Sequence, residues 1–522
     1  MSSRQAVWSS LPGQAWDVIV IGGGITGAGV ALESVRRGLK TLLIEQTDYS
    51  WGTSSRSSKM VHGGLRYIAQ GEIRLTWHSL TEREKLLREA PGLVERMGYH
   101  FAHFKGVFPG RWPMQILLTA YDFLAGVRDH RFFRKAAFLQ RMPGYRSQGL
   151  AGASRYTDAL TDDSRLTQRV LDEAVAQGLV MLNYVKATDL VMAGDRVGGL
   201  RLEDRVEGGT AIVSAKAVIN ATGAWADRLR RQLVDEVRVR PLRGSHLVVP
   251  AERLPLTEAV ICHHPDDGRV MFIYPWEGRT VIGTTDLDHR TDMDIEAVLD
   301  QGEMDYMLRG ANHEFPEAKL AVEDIIATWS GVRPIIAAGD GSDPSKESRA
   351  HRVWNDSGLV TVTGGKLTTF RLIALDALRE VEAVLGVRIR DDKAAIFQPP
   401  RPGHRPAHLG EAAFARLVSR LGIHTRQFLD TMPVAECVPV ADTTTLVAEL
   451  RWACRHEQVV HLDDLLLRRV RLGLLLPRGG LDAVSGLDVI LHEELGWDAE
   501  RIASERARYL DLWTRYYFLP AA

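Results

Sequence analysis

The chain has 522 residues, more than a single hydrophobic core usually accommodates, so two or more domains are expected. Hydrophobic residues make up 45% of it and charged residues 25%, which is an ordinary globular composition. The formal net charge is only −1 at pH 7, so the overall charge gives no reason to expect a nucleic-acid partner. Attraction to an anionic surface must come from local patches.

The cysteines and the apolar segments indicate the compartment. Cys262, Cys437 and Cys454 are widely spaced and form no CxxC pair, which favours a reducing compartment and argues against a disulfide framework or a zinc site. The first 16 residues lack the pattern of a signal peptide. No segment reaches the roughly 18 to 20 apolar residues of a spanning helix. We therefore predict a cytoplasmic, metal-free protein that can still lie on a membrane surface.

The segment 17–45 has the pattern of a βαβ nucleotide-binding unit. An apolar, β-branched run precedes Gly22, Gly24 and Gly27, which follow the G-x-G-x-x-G spacing. Small and apolar residues at helical period come next, and a second apolar run ends in Glu45. The glycines permit a tight turn and close approach to a pyrophosphate, while Glu45 is placed to bind a ribose hydroxyl. The alternative is a glycine turn that binds no ligand.

Residues 51–68 are rich in hydroxyl side chains. Five serines and threonines surround Arg56 and Lys59, which together supply many donors for the phosphate and hydroxyl oxygens of a cofactor. The alternative is a solvated serine-rich loop, but its position directly after the Glu45 strand favours the cofactor. Arg66 and Tyr67 follow the Gly63-Gly64 pair, where they can face a substrate.

Residues 103–141 interleave aromatic and basic side chains after a predicted helix at 72–95. Such an amphipathic stretch can lie in a membrane interface. It can equally pack on its own protein and leave its arginines in solvent. Both interpretations remain open from the sequence.

The middle of the chain predicts further strands. A helix and a strand are expected within 162–187, and a hairpin within 195–220 leads into a small-residue turn at 221–225. Strands at 243–250, 269–286 and 329–336 predict a mainly antiparallel sheet that is separate from the nucleotide-binding sheet. Residues 358–378 again show a strand, two glycines and a helix, while 396–408 is proline-rich and precedes a helical region.

The motifs along almost the whole chain resemble those of the FAD-dependent glycerol-3-phosphate dehydrogenases, which feed electrons to the respiratory quinone pool. They occur in that family's order and read IGGGITGAG, TSSRSSKMVHGGLRY, INATGAW, GSHLVVP, YPWEGRTVIGTTD, WSGVRP and GGKLTTFR, followed by the helical segment WACRHEQVVHLDDLLLRRVRLG. HGGLRY and GGKLTT together are much more selective than the glycine spacing alone.

The resemblance implies an α/β fold in which a Rossmann-like FAD-binding domain is interwoven with an antiparallel-sheet substrate domain, as in D-amino-acid-oxidase-like flavoenzymes. The oxidoreductase region would span 16–385, with FAD-binding segments at about 16–90, 150–240 and 330–385 and substrate segments at about 91–149 and 241–329. A linker at 386–408 and a C-terminal α-helical domain at 409–522 would complete the chain.

The implied reaction oxidises sn-glycerol 3-phosphate to dihydroxyacetone phosphate. Loss of the hydroxyl proton suits a general base such as His246, with His62 as the rival candidate. The dianionic phosphate needs cations, for which Arg333 and Arg66 are predicted. Tyr67 can add a hydroxyl group, and Lys366 can contact the substrate oxygen.

The resemblance also predicts the FAD contacts. The helix after Gly364 and Gly365 could stabilise negative charge on the reduced flavin ring. The full predicted set is Gly22, Gly24, Ile25, Thr26, Gly27, Glu45, Thr53, Ser54, Ser57, Ser58, Lys59, His62, Gly63, Gly64, Leu65, Thr222, Gly223, Gly364, Gly365, Lys366, Leu367 and Thr368.

The expected partners are sn-glycerol 3-phosphate, ubiquinone or menaquinone, the inner face of the cytoplasmic membrane and a second copy in a homodimer. Three alternatives remain. An oxidase would give hydrogen peroxide from O2, an amine or amino-acid oxidase would ignore phosphorylated substrates, and a flavin-binding sensor would bind FAD without turnover.

Overall fold

The computed structural model describes residues 4–69, 71–337 and 350–520. The helices in this part of the chain are α1 (Arg4–Ser10), α2 (Ile25–Val35), α3 (Leu65–Ala69), α4 (Ile73–Glu89), α5 (Arg111–Ala125), α6 (Lys135–Arg141), α7 (Asp163–Val175), α8 (Ala226–Arg230), α9 (Gln301–Glu314), α10 (Phe370–Arg379), α11 (Glu382–Leu385), α12 (Glu411–Leu421), α13 (Thr425–Thr431), α14 (Val447–His456), α15 (Leu472–Leu475), α16 (Leu487–Leu495) and α17 (Ala499–Tyr516).

The strands form two sheets. The strands of the first are β1 (Ala15–Ile21), β2 (Thr41–Ile44), β7 (Val180–Leu182), β8 (Val185–Ala193), β9 (Arg196–Asp204), β10 (Thr210–Asn220), β17 (His351–Asp356) and β18 (Leu359–Gly364). Those of the second are β3 (Met60–Val61), β4 (Val94–Phe104), β5 (Arg131–Arg134), β6 (Leu150–Thr161), β11 (Val239–Pro250), β12 (Ala259–His263), β13 (Val270–Trp276), β14 (Arg279–Gly283), β15 (Leu287–Asp288) and β16 (Ala327–Ile336).

The first sheet is parallel at its centre and runs in the order β17-β18-β10-β1-β2-β7. Ile21 at the end of β1 stands in register with Asn220 of β10 and Ile44 of β2, so three strands end at one edge of the sheet. The carboxyl ends of parallel strands are where α/β proteins usually bind ligands. The predicted hairpin is present as β9 and β10.

Three helices, α2, α7 and α10, pack together beside the first sheet and share a hydrophobic core with it. Close approach of α10 to α2 depends on Gly29, because a Cβ atom there would lie 2.9 Å from Cδ2 of Phe370. Burial of such apolar surface is the main favourable contribution to folding. This packing fixes the position of α2 against α10.

The second sheet is mainly antiparallel, as predicted, with one parallel contact between β4 and β12. In this sheet His246 of β11 lies opposite Gly283 on one side and Trp329 on the other. Strands β3 and β6 pair here although they fall within segments that were predicted to bind FAD, and β16, a predicted strand of this sheet, crosses the predicted segment boundary at residues 329–330. The division of the chain into domains therefore stays a prediction.

The aromatic, basic stretch at 103–141 forms the end of β4, α5, β5 and α6. One face of α5 packs on the protein through Met114, Leu118 and Tyr121. The opposite face leaves Trp112 and Ile116 exposed to 69% and 72%. Helix α5 therefore packs on the protein through one face and exposes large apolar side chains on the other, and contact with a membrane stays a prediction.

Beyond α11 the described chain has no regular element until α12, which agrees with the proline-rich composition around residues 396–408. Helices α12 to α17 then form the C-terminal region. The helical period seen from Leu446 to Leu475 is interrupted by a π-helical turn at Asp464–Arg469 and by Arg471 in the left-handed conformation (φ 63°). Within the residues described, no helix is both long enough and apolar enough to cross a membrane.

Candidate active site

The glycine turn between β1 and α2 permits contacts that a side chain would prevent. A Cβ atom at position 27 would lie 1.9 Å from the carbonyl oxygen of Gly22, and one at position 22 would lie 2.7 Å from that of Ala221. Gly22 also has a φ of +111°, which L-residues rarely adopt. The backbone of the turn therefore lies in close contact with Ala221, the residue after β10.

The amino end of α2 offers hydrogen-bond donors beside this turn. The hydroxyl of Ser54 accepts a hydrogen bond from the backbone N–H of Ile25 at 2.9 Å. A Cβ atom on Gly24 would lie 3.0 Å from that hydroxyl, so glycine permits the close contact. Free N–H groups and the helix dipole make such an end a suitable site for a phosphate.

Glu45 is bound to the same turn. One carboxylate oxygen accepts from the N–H of Gly23 at 2.7 Å, and the other accepts from the N–H and hydroxyl of Thr47 at 3.0 and 3.1 Å. Burial raises the pKa of Glu45. A carboxylate has about four acceptor positions, so these contacts leave capacity for a ribose hydroxyl.

A cavity of about 370 Å³ lies at the carboxyl ends of β1, β2 and β10. More than half of the predicted cofactor residues line it, namely Gly22, Gly24, Ile25, Thr26, Glu45, Thr53, Ser54, Ser57, Thr222, Gly223, Gly364, Gly365, Lys366 and Leu367. The structure thus brings together three segments that are far apart in the sequence.

Other lining residues escaped the sequence-based prediction. They are Ile21, Gln46, Trp51, Gly52, Val185, Lys186, Ala187, Thr188, Ala221, Trp225, Arg228, Leu229, Gln232 and Pro334. The turn at 221–225 carried a signal for Trp225, but the start of β8 carried none. The start of β8 reaches the cavity because β7, the strand directly before it, pairs with β2.

The remaining predicted cofactor residues, Gly27, Ser58, Lys59, His62, Gly63, Gly64, Leu65 and Thr368, lie outside the lining of this cavity. Lys59 is fully buried, 3.0 Å from a carboxylate oxygen of Asp163. Its ammonium nitrogen lies 4.7 and 4.4 Å from the ring centres of Trp276 and Trp329. Burial and the nearby Arg471 lower the pKa of Lys59 to about 8.

The loop that contains Gly63 and Gly64 is bound to the segment that contains Lys366. The hydroxyl of Thr368 accepts from the N–H of His62 at 3.0 Å and donates to its carbonyl oxygen at 3.2 Å. The ammonium group of Lys366 lies 3.7 Å above the ring of Tyr67 and 3.3 Å from the hydroxyl of Ser79. Two predicted substrate residues, Tyr67 and Lys366, are therefore adjacent.

Arg66 belongs to α3 by its backbone, but its side chain is outside the part of the structure that is described. Its predicted role in phosphate binding stays a prediction.

His246 is buried, with 1% of its surface exposed. Its Nε2 atom lies 2.8 Å from the hydroxyl of Ser58, and its ring stacks on Trp329 at 4.7 Å between ring centres. Its Nδ1 atom has no hydrogen-bond partner among the described residues. Burial, Arg333 and Lys59 hold the pKa of His246 well below its usual value, because each disfavours the charged ring.

The guanidinium group of Arg333 is held at the edge of the second sheet. It donates to Asp286 at 2.8 Å and to the hydroxyl of Thr284 at 2.9 Å. A Cβ atom on Gly244 would lie 2.2 Å from one of its nitrogens, so glycine makes room for it. Pro334, the next residue, lines the cavity.

A glycine turn and a helix amino end at the carboxyl ends of a parallel sheet define a dinucleotide-binding protein. Comparison with known proteins gives the particular cofactor. Residues 17–374 match the model of the FAD dependent oxidoreductase family, and residues 392–502 match the C-terminal domain of alpha-glycerophosphate oxidase.

Curated relatives extend along most of the chain. The aerobic glycerol-3-phosphate dehydrogenase of Staphylococcus haemolyticus is 33% identical over 90% of this chain and 88% of its own length. Glycerol-3-phosphate dehydrogenase 2 of Mycobacterium tuberculosis is 34% identical over 98% and 90%. The structure of the Bacillus halodurans glycerol-3-phosphate dehydrogenase with FAD gives a TM-score of 0.75 at 27% identity, over 97% of this chain and 95% of that one.

This chain therefore belongs to the family of FAD-dependent glycerol-3-phosphate dehydrogenases, and its cofactor is FAD. The site fits that cofactor chemically. A glycine turn, the amino end of α2 and a carboxylate meet at one cavity, which also reaches the second glycine pair, Gly364 and Gly365.

Replacing Gly27 with alanine tests the turn. Because the added Cβ would overlap the carbonyl oxygen of Gly22, we expect Gly27→Ala to lose FAD, with at least about a tenfold fall in affinity from displaced phosphate contacts. The ratio of flavin to protein absorbance after purification measures this. Gly410→Ala is the control, since a Cβ there meets nothing within 4 Å. Equal flavin content in the two variants would contradict the assignment.

Proposed function

We propose that this enzyme oxidises sn-glycerol 3-phosphate to dihydroxyacetone phosphate and passes two electrons to a membrane quinone. The observation that carries the proposal is the arrangement around His246. The buried imidazole of His246 contacts Ser58, and its pKa is held well below its usual value by burial and by Arg333. Ser57, next to Ser58, and Pro334, next to Arg333, line the cofactor cavity. The names of the relatives supply the substrate.

Several segments would hold FAD. The N–H groups at Gly24 and Thr26 suit the pyrophosphate, beside the N–H of Ile25 that donates to Ser54, and Glu45 suits a ribose hydroxyl. The turn at Gly364 and Gly365 suits the flavin. When bound, FAD supplies a hydride acceptor, and the protein residues manage the proton and the charge of the substrate.

His246 would act as the general base. Its Nε2 atom would accept the proton of the C2 hydroxyl as the hydride leaves C2, so that the alcohol becomes a ketone. A neutral ring is required for this step, and the lowered pKa of His246 keeps it neutral. In the structure the Ser58 hydroxyl lies within hydrogen-bond distance of Nε2, so the substrate hydroxyl would replace this serine contact.

The phosphate of the substrate would bind to arginine. Arg333 presents a guanidinium fork whose direction is set by Asp286 and Thr284, and a fork matches two phosphate oxygens better than a point charge does. Arg66 would share the charge. Lys366, next to Tyr67, would contact the oxygen at C2 and stabilise the negative charge that develops there.

We expect His246→Ala to lower kcat by about 10²-fold or more while FAD stays bound, because the proton then lacks an acceptor. Anaerobic stopped-flow reduction of the bound flavin measures the step directly. His264→Ala is the control, because His264 is also a buried histidine of the second sheet region, bound to the carbonyl oxygen of Tyr306. If the rate for His246→Ala equals that of the control, His246 is not the base.

The ionisation of His246 gives a separate prediction. Because its pKa lies well below 6.5 in the folded protein, the ring should stay neutral as the pH falls through 6.5 and gain a proton only at lower pH. Spectra of the protein with ¹³C-labelled histidine report the ring directly, without interference from titration of the substrate phosphate. The spectrum of His246→Gln assigns the signal. A midpoint at or above 6.5 would contradict the prediction.

The electron acceptor needs its own test. The match of residues 392–502 to a domain of alpha-glycerophosphate oxidase favours a second candidate, an oxidase that reduces O2 to hydrogen peroxide. Turnover in air with a soluble quinone analogue, while hydrogen peroxide is recorded, separates the two. Quinone reduction with little peroxide supports the dehydrogenase, and peroxide formed at the full rate of turnover supports the oxidase.

We place the membrane contact on the exposed face of α5 and the loop before it. Phe108 and Phe123 are exposed to 84% and 83%, and Trp112 and Ile116 are spaced for one helix face. The exposed basic residues of this region would attract anionic lipids and are Lys105, Arg111, Arg128, Arg131, Arg134, Lys135 and Arg141. Binding to the membrane through this surface would bring a lipid-soluble quinone within reach of the enzyme.

Replacing Trp112, Ile116 and Phe123 with serine should reduce binding to phosphatidylglycerol vesicles by about tenfold or more, since each buried apolar side chain contributes roughly 1.5–3 kcal/mol. Co-sedimentation measures the binding. The control replaces Val434, Val438 and Val489, which are 49–60% exposed on the C-terminal region. Unchanged binding of the α5 variant, or an equal loss in the control, would remove this surface as the contact.

A further inference from the structure

A buried ion cluster joins the C-terminal region to the loop after β2. The carboxylate of Asp48 accepts from Arg469 through two nitrogens, both at 2.7 Å, and from Nε of Arg468 at 2.5 Å. Asn183 donates to it at 3.0 Å. Each of these residues is at most 3% exposed, so the ion pairs are almost fully shielded from solvent. The two arginines lower the pKa of Asp48 despite its burial, so the carboxylate stays charged.

Asp48 begins a segment that forms part of the cofactor cavity. Its carbonyl oxygen accepts from the N–H of Trp51 at 3.0 Å, and the N–H of Ser50 donates to the carbonyl oxygen of Gly23 at 3.1 Å. The ring of Tyr49 contacts the same glycine so closely that a Cβ there would lie 2.6 Å from it. The residues that follow, from Trp51 to Ser54, line the cavity.

The arginines are themselves fixed within the C-terminal region. They end the π-helical turn Asp464–Arg469, and Arg469 also donates to the carbonyl oxygen of Glu457 at 2.9 Å. Arg468 donates to Asp463 at 2.8 Å. The position of Asp48 is therefore set by the fold of the C-terminal helices.

A second contact holds the same loop farther along. Arg56 forms an ion pair with Glu296 at 2.9 Å and donates to the hydroxyl of Tyr517 at 3.1 Å. The carbonyl oxygen of Tyr517 accepts from the N–H of Thr328 in β16 at 2.8 Å. Both ends of the 48–56 segment are thus attached to the C-terminal region.

We infer that Arg468 and Arg469 are positioning residues for the cofactor, which act through Asp48 to hold the loop 48–54 against the glycine turn. The C-terminal region then contributes to FAD affinity without touching the cavity. Because coupling between two sites is reciprocal, bound FAD should in turn stabilise the C-terminal helices. The inference requires FAD binding only and is independent of the substrate and the electron acceptor proposed above.

Arg469→Met tests the inference against Arg451→Met. Arg451 is the matched control because it is also a buried arginine, but its partners Glu436, Glu493 and Glu494 all lie in the C-terminal region. Dilution of each holoenzyme releases FAD, whose fluorescence gives the dissociation constant, and thermal unfolding reports general destabilisation. We expect Arg469→Met to weaken FAD binding about tenfold or more and Arg451→Met to change it less than about twofold, at comparable loss of Tm.

The double variant Asp48→Asn/Arg469→Met adds a second comparison. The two single variants for this comparison are Asp48→Asn and Arg469→Met. If the two residues act through each other, the double variant should bind FAD about as tightly as whichever single variant binds it less tightly. Independent residues would instead multiply the two losses of affinity. Equal FAD affinity for Arg469→Met and wild type would overturn the inference. The inference would also be overturned if Arg469→Met and Arg451→Met lost FAD affinity equally for the same loss of Tm.

Hydrogen exchange keeps the inference testable if Arg469→Met fails to fold. In the wild-type protein, FAD should slow amide exchange at residues 457–471 relative to the same protein without FAD. Exchange there that is unaffected by FAD would overturn the inference, because a coupled site must respond to the ligand.

Discussion

The structure depends on one close contact, that of residue 27 with the carbonyl oxygen of Gly22. A Cβ atom at position 27 would lie 1.9 Å from that oxygen. The contact lets α2 start at the edge of the parallel sheet, where its amino end, Glu45 and the end of β10 border one cavity. The loop from Asp48 to Ser54 then closes on the turn, and two arginines of the C-terminal region hold that loop.

Positive charge around His246 is the second constraint. Lys59 and Arg333 both oppose a further positive charge on the ring of His246. In the proposed reaction this arrangement suits a general base, because Arg333 would both help to keep the imidazole neutral and attract the phosphate of the substrate. Asp286 and Asp163 balance the cations in the structure described here.

Local sequence patterns predicted the parts of the site that one segment builds alone. The strand, glycine and helix order around Gly22, the hydroxyl-rich loop and the Gly364-Gly365 turn all lie at the cavity. Contacts between distant segments left no local pattern. The pairing of Arg333 with Asp286, the contribution of Val185 at the start of β8 and the cluster at Asp48 arise from tertiary packing. In that cluster 421 residues separate Asp48 from Arg469.

The most direct test of the account is the visible spectrum of the purified protein under anaerobic conditions, before and after addition of sn-glycerol 3-phosphate. We predict a bound-flavin band that bleaches at once, which would show cofactor, substrate and direction of electron flow together. A flavin band that persists with this substrate would contradict the proposed function while leaving the FAD-binding fold in place.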